Sequence, residues 1–111
     1  MAVSEDYIAY LYDQLSEIDE IRGKKMFGGY GFFQAGKMFA MVGQNTFRLK
    51  VDETNKQDFL ERGMEPLRSA SKKQVMPYYE VPAEVLEDRP TLVRWARKSI
   101  DIAHASGLKK K

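Results

Sequence analysis

From Lys25 onward the chain gives up helical spacing for alternation, and this change of period limits the fold more than any other feature. Thr46 to Val51 alternate cleanly, with Phe47, Leu49 and Val51 on one face and Arg48 and Lys50 on the other. Upstream, Met38-Phe39-Ala40-Met41-Val42 is apolar on both faces. Before it, Met26, Phe27, Tyr30, Phe32 and Phe33 form an aromatic strand interrupted by Gly28, Gly29 and Gly31. Ala35-Gly36 and the residues from Gly43 to Asn45 supply tight turns between these runs. Three consecutive strands with short turns predict an antiparallel meander.

Helices flank the meander. Ser4 is a predicted N-cap, with Glu5 and Asp6 in a first turn that favours negative charge. Tyr7, Ile8, Leu11, Leu15, Ile18 and Ile21 then recur every three or four residues, and Gly23 is the predicted stop. Asp52 is the predicted cap of a second helix through Asn55, Phe59 and Leu60, closed by Gly63. Pro66-Leu67-Arg68 reads as a short edge strand, because proline is poorly tolerated in a sheet centre. Ser69 to Gln74 read as a polar turn, Val75 to Val81 as a strand, and Pro82 to Asp88 as a short helical turn. A last helix starts near Pro90, with Leu92, Trp95, Ala96, Ser99, Ile100 and Ala103 as its inner stripe and Gly107 as its stop. The order helix, three strands, helix, two strands, helix predicts an α+β fold in two layers, with an antiparallel sheet of about five strands packed with helices. A chain of 111 residues suits one such domain, placed at residues 1–106, with 107–111 as a basic tail.

The residue inventory excludes most chemistry. There are no cysteines, which removes disulfides, thiolate metal sites and cysteine nucleophiles and fits a reducing compartment. No signal peptide and no membrane-length apolar run appears, so the cytoplasm is the expected location and no membrane association is expected. Gly29 and Gly31 have the first spacing of a dinucleotide fingerprint, but Gln34 stands where its third glycine belongs and a hairpin follows. No Gly-Lys-Ser or Gly-Lys-Thr exists for a P-loop. The glycines therefore read as structural, marking a bulge or a close backbone approach. His104, the only histidine, sits near a helix C-terminus that favours a cation, without a nucleophile motif or companion ligands. No catalytic residue, cofactor or metal is expected.

Two surfaces remain. Lys24, Lys25, Arg48, Lys50, Arg68, Lys72 and Lys73 fall on strands or their turns. Of these, Arg48, Lys50, Lys72 and Lys73 are the candidate nucleic-acid contacts. The two-faced strand offers Phe39 and Met41 as a candidate apolar interface, for a protein partner or a symmetric homodimer. The adjacent tyrosines Tyr78 and Tyr79 point to opposite faces, one to the core and one outward.

The stretch from Lys25 through Met26-Phe27-Gly28-Gly29-Tyr30-Gly31 to Phe33, then Met38-Phe39-Ala40 and Leu49-Lys50-Val51-Asp52, resembles the N-terminal domain of the TfoX (Sxy) competence regulators. So do Met76-Pro77-Tyr78-Tyr79-Glu80-Val81-Pro82 and Trp95-Ala96-Arg97. The resemblance implies a small α+β domain with no catalytic residues, in a bacterial regulatory setting where members promote DNA-uptake genes together with a cyclic-AMP receptor protein. Full-length members continue into a helical C-terminal domain, whereas this chain stops at Lys111. The function expected is a non-enzymatic, protein-binding accessory factor in transcription, partnered by the transcription machinery or one of its regulators. Nucleic-acid binding through the basic strand face is the alternative, and a small-ligand or enzymatic role on the glycine-rich strand is the third reading.

Overall fold

Helix α1 (Glu5–Gln14) starts as its composition dictates. Ser4 is extended (φ −63°, ψ 133°), and its hydroxyl accepts a 3.3 Å hydrogen bond from the Tyr7 amide. The computed structural model describes residues 4–26, 29–43, 46–68 and 75–109, the side chains at 68, 75 and 106–109 excepted. The helix is shorter than its apolar spacing predicts. It ends at Gln14, a turn closes through the Ile18 amide on the Leu15 carbonyl, and Glu20 reverses the chain at φ 62°. Ile21 then opens strand β1 (Ile21–Met26), and Gly23 lies inside this strand instead of stopping a helix. The reason is the sheet. β1 pairs residue for residue with β2 (Gly29–Gln34), whose aromatic backbone would otherwise be a bare edge.

Met26 pairs with Gly29, so the run expected as one aromatic strand is two antiparallel ones. Phe27 and Gly28 lie outside the described residues. β2 turns into β3 (Lys37–Gly43) through Ala35 and Gly36, at φ 50° and 88°. Positive φ at both central residues is the hairpin geometry that matches strand twist. β3 pairs with β4 (Thr46–Lys50), and a helical turn, α2 (Lys56–Leu60), follows. Its N-cap is Asn55, not the Asp52 that the sequence predicts. Asp52 makes the turn before it, with its carboxylate accepting from the Thr54 amide at 2.7 Å, and Gly63 follows the helix at φ 74°. β5 (Pro66–Arg68) and β6 (Val75–Glu80) complete an antiparallel sheet of six strands in the order β1-β2-β3-β4-β6-β5. The proline-led strand is at the edge. Helices α3 (Ala83–Leu86) and α4 (Arg89–Lys109) end the chain, and α4 runs through Gly107. One glycine costs a helix only about 1 kcal/mol, too little to stop one already anchored along the sheet.

Side chains of cross-strand partners share a face. Tyr30, Phe32, Ala40, Val42, Phe47, Leu49 and Tyr79 therefore lie on one side. That side holds the core, where Phe32, Ala40, Val42, Phe47 and Leu49 meet Leu11 and Leu15 of α1 and Leu92, Trp95, Ala96 and Ile100 of α4. The predicted inner stripe of α4 is buried throughout, Ser99 and Ala103 included. Phe39 belongs here too. The register slips between Phe32 and Phe33, so that Phe32 faces Ala40 while Phe33 faces Met38, leaving Phe39 as the extra residue of a bulge. The bulge places Phe39 in the core with no exposed surface, which corrects its assignment as an interface residue.

Buried polar groups pin the layers together. The Lys50 carbonyl at the end of β4 accepts from Asn55 Nδ2 at 3.2 Å and from Ser99 Oγ at 2.8 Å. Gln14 Nε2 donates to the Leu86 carbonyl at 2.8 Å, and His104 Nε2 shares a 2.8 Å hydrogen bond with Gln34 Oε1. Among the described residues no buried side-chain polar atom lacks a partner, and no helix is long and apolar enough to cross a membrane.

Candidate functional site

The same registers place Arg22, Lys24 and Met26 of β1 on the side of the sheet away from the helices. With them lie Gly31 and Phe33 of β2, Met38 and Met41 of β3, Arg48 and Lys50 of β4, and Tyr78 and Glu80 of β6. None of these side chains belongs to the helix-side core, and Met26, Phe33, Met38 and Met41 are half-buried. Met26, Phe33 and Met38 converge over Gly31, the cross-strand partner of Met41, because Gly31 has no side chain. A Cβ there would stand 2.7 Å from Met26 Sδ, 3.0 Å from Met38 Sδ and 3.3 Å from Phe33 Cε1. Gly29 is held against backbone instead, since a Cβ would run into the Val42 carbonyl oxygen. Both close approaches are to neighbouring strands or their side chains. The neighbours that come close to Gly29 and Gly31 are thus strands and not a helix, and Gly28 lies outside the described residues.

Cations frame this apolar centre. Arg22 and Lys24 lie on β1 and Arg48 and Lys50 on β4, against one carboxylate on the strands of the sheet, Glu80 of β6, the cross-strand partner of Arg48. Elsewhere Lys56 pairs with Glu53 at 3.1 Å, Arg62 with Glu84 at 3.4 Å and Arg89 with Asp13 at 2.7 Å. None of the four cations on this face makes an ion pair among the described residues. Lys50 lies over the Tyr78 ring, with its ammonium 5.3 Å from the centroid. Tyr78 itself is buried, and burial raises its phenol pKa above the ordinary 10.0. The face is therefore aromatic and thioether at its centre and cationic along two margins.

The predicted residues divide between the two layers. Met26, Gly31, Met41, Arg48, Lys50 and Tyr78 are brought together on this face, while Lys72 and Lys73 lie outside the described residues. Tyr30, Phe39, Tyr79 and Trp95 go to the helix side. Trp95 packs against Phe59 in a tilted pair, with ring centroids 4.8 Å apart and planes 59° to each other, under the Arg62 guanidinium at 5.1 Å. Pro82 is buried at the entrance of α3, where its carbonyl accepts from the Val85 and Leu86 amides. Arg22 is not legible because helical spacing claims its segment and Ile21 to Met26 alternates only over its first four residues. Phe33 and Met38 were not singled out because their convergence depends on the bulge.

Other places offer less. A shallow cleft of about 410 Å³ between α2 and α4 is lined by Asn55, Phe59, Arg62, Arg94, Trp95 and Lys98 among others, with Asp58 and Asp101 facing the same space. Among the described residues no cluster of three His, Cys, Asp or Glu side chains could hold a metal ion.

The family model described as the TfoX N-terminal domain matches residues 13–103. No curated protein matches the chain. The match spans both layers of the fold and every strand of the helix-free face, and the chain belongs to the TfoX N-terminal domain family.

Proposed function

We propose that this TfoX-family domain is a non-catalytic regulatory module that binds a protein through the helix-free face of its sheet. It acts as an accessory factor in transcription of the competence type, in the bacterial cytoplasm. One observation carries the reading: the half-buried patch of Met26, Phe33, Met38 and Met41 sits between two cationic margins, and no helix among the described residues packs on it. An apolar centre with a charged rim is the usual anatomy of a protein–protein contact. Methionines suit it, because an unbranched thioether adapts to whatever it touches.

Arg48 and Lys50 on the same face favour nucleic acid as a second reading. A single-strand platform offers exposed rings for bases to stack on. Here Phe33 is half-buried and Tyr78 is buried beneath Lys50, so the protein reading is the better supported. The test is affinity capture from the native cell with the wild-type chain and with Met41→Asp, beside a duplex DNA titration at near-physiological salt. A protein retained by the wild type and lost with Met41→Asp supports the proposal. Submicromolar DNA binding abolished by Arg48→Ala with Lys50→Ala overturns it.

A further inference from the structure

We infer that the occupant of this face is an acidic amphipathic helix of the partner, laid along β2 and β3 between the two rows of cations. The inference rests on the protein-binding reading above and adds the chemistry and shape of what binds. Width is the first support. Adjacent strands lie about 4.8 Å apart, so the three spacings from β1 to β4 put the two basic rows roughly 14 Å from each other. A helix with its side chains is about 10–12 Å across and fits between them. Its apolar stripe would rest on Met26, Phe33 and Met38, which gather over Gly31, and on Met41, the cross-strand partner of Gly31.

Spacing along the strands is the second support. Arg22 and Lys24 are two residues apart, as are Arg48 and Lys50, which is roughly 6.8 Å along a strand. Carboxylates four residues apart on a helix are separated by about 6 Å along its axis. One pair of acids on each flank therefore meets one row of cations. Charge is the third support, because the four cations on these strands face the single carboxylate Glu80. A basic helix would be repelled on both flanks, so the sign of the rim selects the sign of the partner.

The probes are three. The first is a blocked peptide of about 18 residues, roughly 27 Å of helix, with a leucine stripe flanked by glutamates at i, i+4 spacing. The second has the same stripe with lysine at every glutamate position, and the third is a single-stranded oligonucleotide of matching negative charge. Binding is read by fluorescence anisotropy and located by amide chemical shifts. The expected result is acidic peptide bound with shifts on β1 to β4, and affinity about tenfold weaker in Lys24→Glu with Arg48→Glu. Met41→Ala, which keeps the charge and spares the fold, weakens binding as well. Equal binding of both peptides, no binding of the acidic one, or shifts confined to α1 and α4 overturns the inference. So does an oligonucleotide that displaces the acidic peptide at equal concentration. If the peptides fail while Met41→Asp still abolishes capture of a cellular partner, the acidic helix falls and the protein-binding reading stands.

Discussion

Tyr12 and Tyr30 bring their hydroxyl oxygens within 3.3 Å of each other on the helix side of β1, and the contact sets how the domain answers to alkali. The hydrogen bond to Tyr12, followed by burial, pushes the Tyr30 phenol up to about 12 from its ordinary 10.0. Below the ordinary value both folded and unfolded chains keep the proton. Between the two values the unfolded chain loses it first, so the stability present below about 10 is lost as pH rises toward about 12. Tyr12→Phe is expected to return Tyr30 toward ordinary ionisation, seen as tyrosinate absorbance at lower pH, and to flatten the alkaline fall in urea midpoint. At neutral pH the same change costs about 0.5 kcal/mol, because the bond is long and exposed. Ala35 offers the opposite case. It is exposed at φ 50° beside Gly36, in a turn that favours asparagine followed by glycine. Ala35→Asn should stabilise the domain by about 0.5–1 kcal/mol, measured as a higher thermal midpoint, since alanine gains nothing from the left-handed region.

Among the elements, the junction after β4 joins the two layers through polar atoms. Asn55, buried, accepts from the Asp52 amide at 2.9 Å and donates to the Lys50 carbonyl, which Ser99 on α4 also reaches. Asn55→Ala removes both of its bonds and is expected to cost about 1–3 kcal/mol, read from denaturant melts. Ser99→Ala leaves the Lys50 carbonyl with Asn55, so it should cost less, about 0.5–1 kcal/mol. An equal loss for the two would mean that α4, not Asn55, holds the junction. The same scale shows how the elements could be read from residue types. The capped start of α1, the alternation of β4, the proline-led edge of β5 and the stripe of α4 all carry local signals, and they lie where those signals put them. The end of α1 was not legible. Ile18 and Ile21 keep helical spacing because both reach the core, one from a turn and the other from a strand. Pairing with the exposed edge of β2 decided the outcome, and no local propensity records that.

At the scale of the whole molecule, half of the candidate surface is legible in the sequence. Strand alternation puts Arg48 and Lys50 outward. The apolar half required the bulge, which draws Phe39 into the core and leaves Met41 on the same face as Met38 of β3, Met26 of β1 and Phe33 of β2. This bears on self-association. The dimer expected from a two-faced strand counted on Phe39 and Met41 together, and Phe39 is no longer available. Two copies meeting across the helix-free face would also bring Arg22, Lys24, Arg48 and Lys50 of each against the same four of the other, with only Glu80 of each in opposition. A two-fold contact is self-complementary, and a face dominated by one sign of charge is not. The expected outcome is a monomer by light scattering at high micromolar concentration and about 0.1 M salt, where screening leaves contacts shorter than about 10 Å largely intact. Raising the salt weakens the repulsion without removing the apolar centre, so any dimer through this face should emerge at high ionic strength and disappear in Met41→Asp. A dimer that forms at low salt and survives Met41→Asp would place self-association elsewhere, with the free edge of β1 as the next surface to test.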